Sequence, residues 1–146
     1  MHAILYRSLA RPGLLADDLN AIIATAQERN RQLGVTGLLL HGRLETIPSA
    51  PGEFVQWVEG PEEEVENLFA LIETDERHRD VEVLGRGSIA ELTDASHTSV
   101  QVDLAAGRLF PMWSMGLVRL AELPATLDGF LRFAADWDGH VLASAA

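Results

Sequence analysis

The sequence predicts a single α+β domain whose core elements follow the order β-α-β-β-α-β. Short runs of aromatic and β-branched residues are typical of strands. Between them, two segments carry apolar residues at three- and four-residue spacing, which is typical of helices with one buried face. Glycine or proline closes most of these segments. A chain of 146 residues, 47% of them apolar, is long enough to bury one substantial core.

The strand predicted at residues 54–60 is the element around which the others are organised. Alternate side chains of a strand share a face, so Gln56 points to the same side as Phe54 and Val58, and Trp57 points to the other. Because both faces are largely apolar, we expect a central strand covered on each side. The Gln56 amide would cost about 1–3 kcal/mol if it were buried without a partner. A bond to a neighbouring backbone group and a bond to a ligand both satisfy it.

The same patterns place the other elements of the chain. We predict strands at Ala3–Ser8, Val35–Leu40, Val81–Leu84 and Arg108–Leu117, helices from Ala16 to Leu33, from Pro61 to about Asp75 and from Pro124 to Trp137, and a long loop at Gly42–Gly52. Two boundaries stay open, because the strand from Val81 can run to Ala90 and Ser99–Asp103 can form a short extra strand. This order is the split βαβ pattern of ferredoxin-like domains. With the additional strand and the C-terminal helix, we expect a mixed five-stranded sheet flanked by helices.

Composition excludes several classes of partner. Eleven basic and 22 acidic side chains give a formal net charge of −11, and such a surface repels nucleic-acid phosphates and anionic lipid. No apolar run approaches the roughly 18 residues of a membrane span, and the N-terminus lacks the pattern of a secretion signal. We therefore expect a cytoplasmic protein that binds neither nucleic acid nor membrane. The absence of cysteine excludes disulfides and thiolate chemistry.

Motifs of known catalytic chemistry are absent from the sequence. There is no glycine-rich phosphate loop, no serine elbow and no HExxH segment. The five histidines lack metal-ligand spacing, so we expect no metal site. Glu62, Glu63 and Glu64 lie at a predicted helix start, where the helix dipole favours acidic side chains. Acylphosphatases share the predicted layout, but the turn after Tyr6 lacks the glycine-rich character of a phosphate cradle.

A set of polar side chains is predicted to converge on one side of the sheet. Asn30 continues the buried stripe of the first helix, and it is either a polar residue near a frayed helix end or an amide directed at a polar group inside. A phenol, a hydroxyl and two amides among aliphatic residues suit a flat ligand with a polar edge, bound between helices and sheet. The phenol belongs to the only tyrosine of the chain. The set comprises Tyr6, Ser8, Asn30, Gln56, Trp113 and Met115.

Six segments follow one another in an order that matches a known signature. They are Tyr6-Arg7-Ser8, Asn30, Thr36-Gly37-Leu38-Leu39, Phe54-x-Gln56-Trp57-x-Glu59-Gly60, Asp75-x-Arg77-His78 and Arg108-x-Phe110-x-x-Trp113-x-Met115. Together they resemble the signature of BLUF domains, the blue-light sensors that use flavin, over about Ile4 to Leu117. The resemblance implies a flavin held noncovalently between the two helices, usually FAD, with FMN and riboflavin left open.

The resemblance also implies roles for individual residues. Tyr6 would be the photochemical electron and proton donor, and Gln56 would bridge the phenol and the flavin. Asn30 would bond a carbonyl edge of the flavin ring. The site would also be held or lined by Ser8, Arg77 and His78. The change at Gln56 would be passed outward by two residues of the last strand, Trp113 and Met115.

The implied protein is a sensor without enzymatic turnover. Residues 1–120 would form the flavin-binding domain, and residues 121–146 a C-terminal helical extension that packs on it or contacts a second copy in a homo-oligomer. Output would pass to a downstream protein that the sequence does not identify. The loop at His41–Glu53 and the connection from His78 to Trp113 are longer than the family pattern, and Arg29 replaces its usual His or Asn. These departures leave open a flavin-free interaction module, with a small-molecule enzyme as the third reading.

Overall fold

A computed structural model of the chain describes residues 1–12, 16–44, 46, 52–93 and 107–136. The predicted order of core elements is confirmed, with a fifth strand and a C-terminal helix after it. In chain order the elements are β1 (His2–Ala10), α1 (Ala16–Leu33), β2 (Thr36–Arg43), β3 (Glu53–Gly60), α2 (Glu62–Glu73), β4 (His78–Ser88), α3 (Ile89–Leu92), β5 (Trp113–Arg119), a 3-10 turn at Leu120–Glu122, and α4 (Leu127–Ala135).

The five strands form one mixed sheet in the order β4-β1-β3-β2-β5. β3 pairs antiparallel with both β1 and β2, and β4 pairs antiparallel with β1. β5 lies parallel to β2 at one edge of the described sheet. The predicted fold class is confirmed, and β3 is the central strand that its two apolar faces indicated, with Phe54 to Val58 all buried.

Each face of the sheet is covered by helices. On one face, residues of α2 and α1 pack against alternate residues of the strands, such as Phe69 of α2 against Ile4 and Tyr6. On the other face, α4 packs on the side chains that point the opposite way. The ring of Phe130 in α4 stacks on Trp57, with centroids 5.6 Å apart and an interplanar angle of 5°. Successive side chains of β3 therefore pack on opposite faces of the sheet.

Two strand boundaries differ from the sequence predictions because tertiary contacts set them. β5 was expected from Arg108 but begins at Trp113. Before it, Pro111 has no N–H for a ladder, and the amides of Leu109 and Phe110 donate to the Glu59 carboxyl group instead. β4 starts before Val81, at His78, and continues past Leu84 to Ser88, within the longer alternative that the sequence left open, since β1 pairs with it along almost its whole length.

Two further boundaries also differ from the sequence predictions. α4 begins at Leu127 rather than Pro124, because the Thr126 hydroxyl accepts a hydrogen bond from the Gly129 amide and caps the helix there. β2 continues through Arg43, past the predicted loop start at Gly42, because β5 pairs with it that far. The predictions for Ser99–Asp103, for Trp137 and for most of the loop before Gly52 lie outside the described residues.

Candidate functional site

A cleft of about 530 Å³ lies between the sheet and the two helices α1 and α2. This volume includes space that is open to solvent at the mouth of the cleft. Six of the sequence-predicted polar and aromatic side chains belong to the pocket or its rim, together with aliphatic residues of both helices and the sheet. The lining residues that the predictions named are Tyr6, Asn30, Gln56, Arg77, His78 and Trp113.

Tyr6 and Gln56 are joined by a direct hydrogen bond in the floor of the cleft. They are paired across β1 and β3, so their side chains share a face and meet. The Tyr6 hydroxyl donates to Oε1 of Gln56. Tyr6 is 3% exposed and Gln56 is 7% exposed, so water has little access to the bond. Burial raises the pKa of Tyr6 above its ordinary value, and the carboxylate of Asp75 adds to this.

His78 is held between the sheet and α2 by hydrogen bonds to both ring nitrogens. Its Nε2 lies 2.6 Å from the carbonyl oxygen of Ile72, which can only accept, so Nε2 carries a hydrogen. In the neutral ring Nδ1 is then an acceptor, and the Ser8 hydroxyl donates to it over 2.6 Å. The His78 ring also contacts Tyr6 edge-on, with centroids 6.0 Å apart. Ser8 thus holds the His78 ring, which forms part of the cleft wall, without lining the cleft itself.

Three buried polar atoms at the cleft have no partner among the described residues. They are Oδ1 of Asn30, Nε1 of Trp113 and Nε of Arg29, and all three residues line the cleft. Asn30 is 1% exposed and Trp113 is 6% exposed, and leaving such groups unpaired costs about 1–3 kcal/mol each. One acceptor and two donors at one cleft fit a ligand whose edge alternates donors and acceptors. A flavin ring, with carbonyl oxygens and ring nitrogens along one edge, has this chemistry.

Asp75 and Arg77 form an ion pair at the rim. The Arg77 side chain donates to both carboxylate oxygens of Asp75, and its backbone amide adds a further bond to Oδ1 at 2.9 Å. The guanidinium beside Asp75 holds the pKa of that carboxyl below its ordinary value. Both residues are partly exposed, so the pair places one fixed cation and one fixed anion beside the opening.

The remaining predicted residues, Ser8 and Met115, lie behind the residues that line the cleft. Met115 does not line the cleft but packs beside Trp113 in a cluster with Leu39 and Phe54. Ser8 acts through His78, as described above. Sequence reasoning named Arg29 only as a departure from a family pattern, and it predicted the aliphatic lining as buried helix faces without assigning it to the cleft. Helical spacing on α1 and α2 was the available signal for Ile22, Ala26, Leu68 and Ile72.

The described part of the chain contains neither a metal-ligand cluster nor a helix that could span a membrane. Among those residues, no group of three or more histidine, aspartate or glutamate side chains could hold a metal ion. None of the described helices combines the length and the apolar character that crossing a membrane requires.

Fold and site together define an α+β domain with a cleft between its sheet and two helices, and comparison with known proteins identifies its family. The family model described as "BLUF: Sensors of blue-light using FAD" matches residues 1–95. The chain belongs to the BLUF family, a family of flavin-binding blue-light sensors, and the expected resemblance is confirmed.

Curated relatives carry this domain within longer proteins. The photoactivated adenylate cyclase subunit beta-like protein FB of Euglena gracilis is 33% identical over 129 residues, which cover 86% of this chain and 14% of that protein. The photoactivated adenylate cyclase subunit beta of the same organism is 35% identical over 117 residues, covering 78% of this chain and 12% of that protein. The chain therefore spans less than a sixth of either relative.

Three solved structures share the fold. BlrB in its dark state superposes with a TM-score of 0.59 at 29% identity, covering 94% of this chain and 85% of that one. BlsA in its ground state gives a TM-score of 0.57 at 27% identity, covering 82% and 65%. BlrP1 of Klebsiella pneumoniae with FMN and cyclic diGMP gives 0.56 at 30% identity, covering 91% and 29%.

Proposed function

We propose that the cleft binds FAD and that the protein senses blue light through the bond between Tyr6 and Gln56. The observation that carries the proposal is this buried phenol–amide pair beside three unpartnered polar atoms at a cleft of about 530 Å³. The family description, which specifies FAD, supports that cofactor over FMN and riboflavin. When bound, the flavin supplies blue-light absorption and the capacity to accept an electron.

Side chains of the cleft would hold the flavin in defined ways. The Asn30 amide and the Trp113 indole nitrogen would bond its polar edge, since both lie buried without partners. His78 would keep the wall of the cleft in place through Ser8 and Ile72. Arg77, fixed by Asp75 at the rim, would oppose the negative charge of a phosphate group there.

Tyr6 would be the electron and proton donor of the photochemical step. Its hydroxyl hydrogen already points at Oε1 of Gln56, so a proton that leaves the phenol has an acceptor in place. Because burial raises the pKa of Tyr6, the proton stays on the phenol in the dark at every physiological pH. Proton release would therefore accompany loss of an electron from the phenol.

Gln56 would be the two-state element of the sensor. Its amide can present either a donor or an acceptor to Tyr6, so a rotation or tautomer change reverses the hydrogen bond without moving the backbone. The pairing of strands puts four side chains in one row across the sheet, because Tyr6 faces Gln56, Gln56 faces Leu39 and Leu39 faces Met115. A change at Gln56 would reach β5 along this row.

The output of the protein would be a change in protein contacts rather than a reaction of its own. The relatives named as photoactivated cyclase subunits join this domain to much longer chains. In this chain we propose that β5 and the helical segment after residue 120 transmit the change to a downstream protein or to a second copy. The flavin-binding domain would then be residues 1–120, with residues 121–146 as its extension.

The deciding experiment is the visible absorption spectrum of the purified protein in the dark, under blue light and after recovery. A flavin band that shifts slightly to longer wavelength under light and returns in the dark supports the proposal. A protein that stays colourless after incubation with FAD refutes it, and a flavin-free interaction module becomes the better account. Chromatography of the released cofactor distinguishes FAD from FMN and riboflavin.

A matched pair of variants tests the switch separately from binding. Gln56→Leu keeps the size of the side chain but has no polar group, so we expect bound flavin without a light-induced shift. Gln32→Leu makes the same change on the exposed surface of α1 and should keep the full shift. A shift that survives in Gln56→Leu would show that the photochemistry does not pass through this amide.

A further inference from the structure

Glu59 is a carboxyl group enclosed in the sheet, away from the proposed photochemical bond. It lies three residues after Gln56 on β3 and is 0% exposed. Oε2 accepts hydrogen bonds from Nε1 of Trp57 at 2.7 Å and from the Leu109 amide at 3.1 Å. Oε1 accepts from the Phe110 amide at 2.8 Å. Such a residue is costly to bury, so its protonation state and its contacts require an explanation.

Thr36 completes the network and decides how many hydrogens it holds. Its hydroxyl oxygen lies 2.9 Å from the carbonyl oxygen of Phe110 and 3.2 Å from Oε1 of Glu59. The hydroxyl has one hydrogen and can donate to only one of these oxygens. The other oxygen–oxygen contact becomes a hydrogen bond only if another group supplies a hydrogen.

Counting hydrogens favours a neutral Glu59. The network contains five short contacts, three to N–H groups and two between oxygens. If Glu59 is ionised, three N–H groups and one hydroxyl supply four hydrogens for the five contacts. If Glu59 carries a proton, it donates to Thr36, Thr36 donates to Phe110, and each contact has its hydrogen.

The charges around the carboxyl group agree with this count. Among the described residues, Glu59 takes part in no ion pair. Two basic side chains on the adjoining segments have other partners, because Arg108 donates to the Gly34 carbonyl and His2 lies 3.3 Å from Glu66. Burial raises the pKa of Glu59 against the opposing effect of its hydrogen bonds.

We propose that Glu59 keeps its proton in the folded protein and that this neutral acid positions the segment leading into β5. Leu109 and Phe110 are bound through their amides, and Trp113 follows three residues after Phe110 as the first residue of β5. Thr36 directly precedes Gly37, the partner of Trp113 on β2. The bonds to Glu59 thus fix where β5 starts and hold Trp113 at the cleft. The relevance to light sensing rests on the proposed function, whereas the proton and the contacts do not.

The proton is tested by the pH dependence of urea unfolding in the wild type and in Glu59→Gln, without flavin or light. In the unfolded chain a glutamate loses its proton near pH 4.3 or so, whereas the folded protein is proposed to keep it. From about pH 5 to 7, the unfolding equilibrium constant of the wild type should rise relative to the variant by about tenfold per pH unit. Any pH-independent effect of the amide drops out of this slope. A ratio that is constant over the range shows that Glu59 is ionised and overturns the proposal.

A measurement on the wild type alone covers the case in which the variant does not fold. Protein labelled with ¹³C at the glutamate carboxyl carbon should show, at pH 7, the infrared C=O stretch of one protonated carboxylic acid. That band should move to lower frequency relative to unlabelled protein. A spectrum with carboxylate bands alone overturns the proposal.

The positioning role is tested by amide hydrogen exchange in Glu59→Ala. The amides of Leu109, Phe110 and Trp113 should exchange faster, by about tenfold for the loss of one typical hydrogen bond. The Ile89 amide, bonded to the Met1 carbonyl at 2.9 Å, is the internal control and should keep its rate. Equal acceleration at Ile89 would show that Glu59 adds only overall stability. Neither result depends on flavin, so a failed photosensor and a failed Glu59 proposal are distinguishable.

Discussion

The bond between Tyr6 and Gln56 can be measured by a double-mutant cycle in cofactor-free protein. Tyr6→Phe leaves Oε1 of Gln56 without its donor, and Gln56→Leu leaves the Tyr6 hydroxyl without its acceptor. Because both side chains are less than a tenth exposed, water replaces the missing partner poorly. Each single change should therefore lower the free energy of unfolding by about 1–3 kcal/mol.

The double variant should cost less than the two single changes together. With both polar groups gone, the site is apolar and holds no unpaired atom, so the two changes should couple by about 1–2 kcal/mol. Urea unfolding followed by circular dichroism measures all four proteins under one condition. Additive losses would show that the phenol and the amide are not bonded in the cofactor-free protein, and that the switch is not assembled before flavin binds.

Three further predictions concern stability. Burial, with a smaller effect of Arg43, lowers the pKa of His41 to about 4, so the folded protein binds this proton less readily than the unfolded chain. The free energy of unfolding that depends on neutral His41 is therefore complete above about pH 6.5 and is lost as the pH falls towards 4. In His41→Leu the acid-side decline of the urea midpoint should therefore flatten, and an unchanged decline would contradict this. Phe130→Ala should cost about 3–5 kcal/mol in urea unfolding, since Phe130 is 0% exposed and stacks on Trp57; a loss below about 1 kcal/mol would mean that α4 does not depend on this contact. Gly37→Ala should prevent β2 from pairing with β3, because the added Cβ would lie 1.9 Å from the Trp57 carbonyl oxygen, and a soluble variant with wild-type far-UV circular dichroism would refute that.

Local patterns in the sequence were sufficient to place the central strand and the buried face of α1. Alternation along β3 placed Gln56 and Trp57 on opposite faces of the sheet. The apolar pattern also fixes the register, because a shift by one residue would move every side chain to the other face. The helical stripe placed Asn30 inside, where it is 1% exposed. These features depend on residues close together in the chain, so the sequence contains the information needed to predict them.

Contacts between distant segments could not be predicted in the same way. The bond between Ser8 and His78 joins residues 70 positions apart, and no spacing rule relates them. Strand alternation did not predict the network around Glu59, because its partners come from Thr36 and from the segment before β5. His41 gave no sequence signal either, although both its ring nitrogens are buried without partners among the described residues. Such groups are defined by the tertiary environment rather than by neighbouring residues.

The tyrosine at the base of the cleft is the only one in the chain. Any isotope or fluorine label fed as tyrosine therefore enters the protein at a single position, next to Gln56. Tyrosine resonances, vibrational bands and radical signals then come from Tyr6 alone, without a background from other phenols. The protein is in this respect a natural single-site probe, in which the hydrogen bond can be followed in the unmodified sequence, in the dark and during illumination.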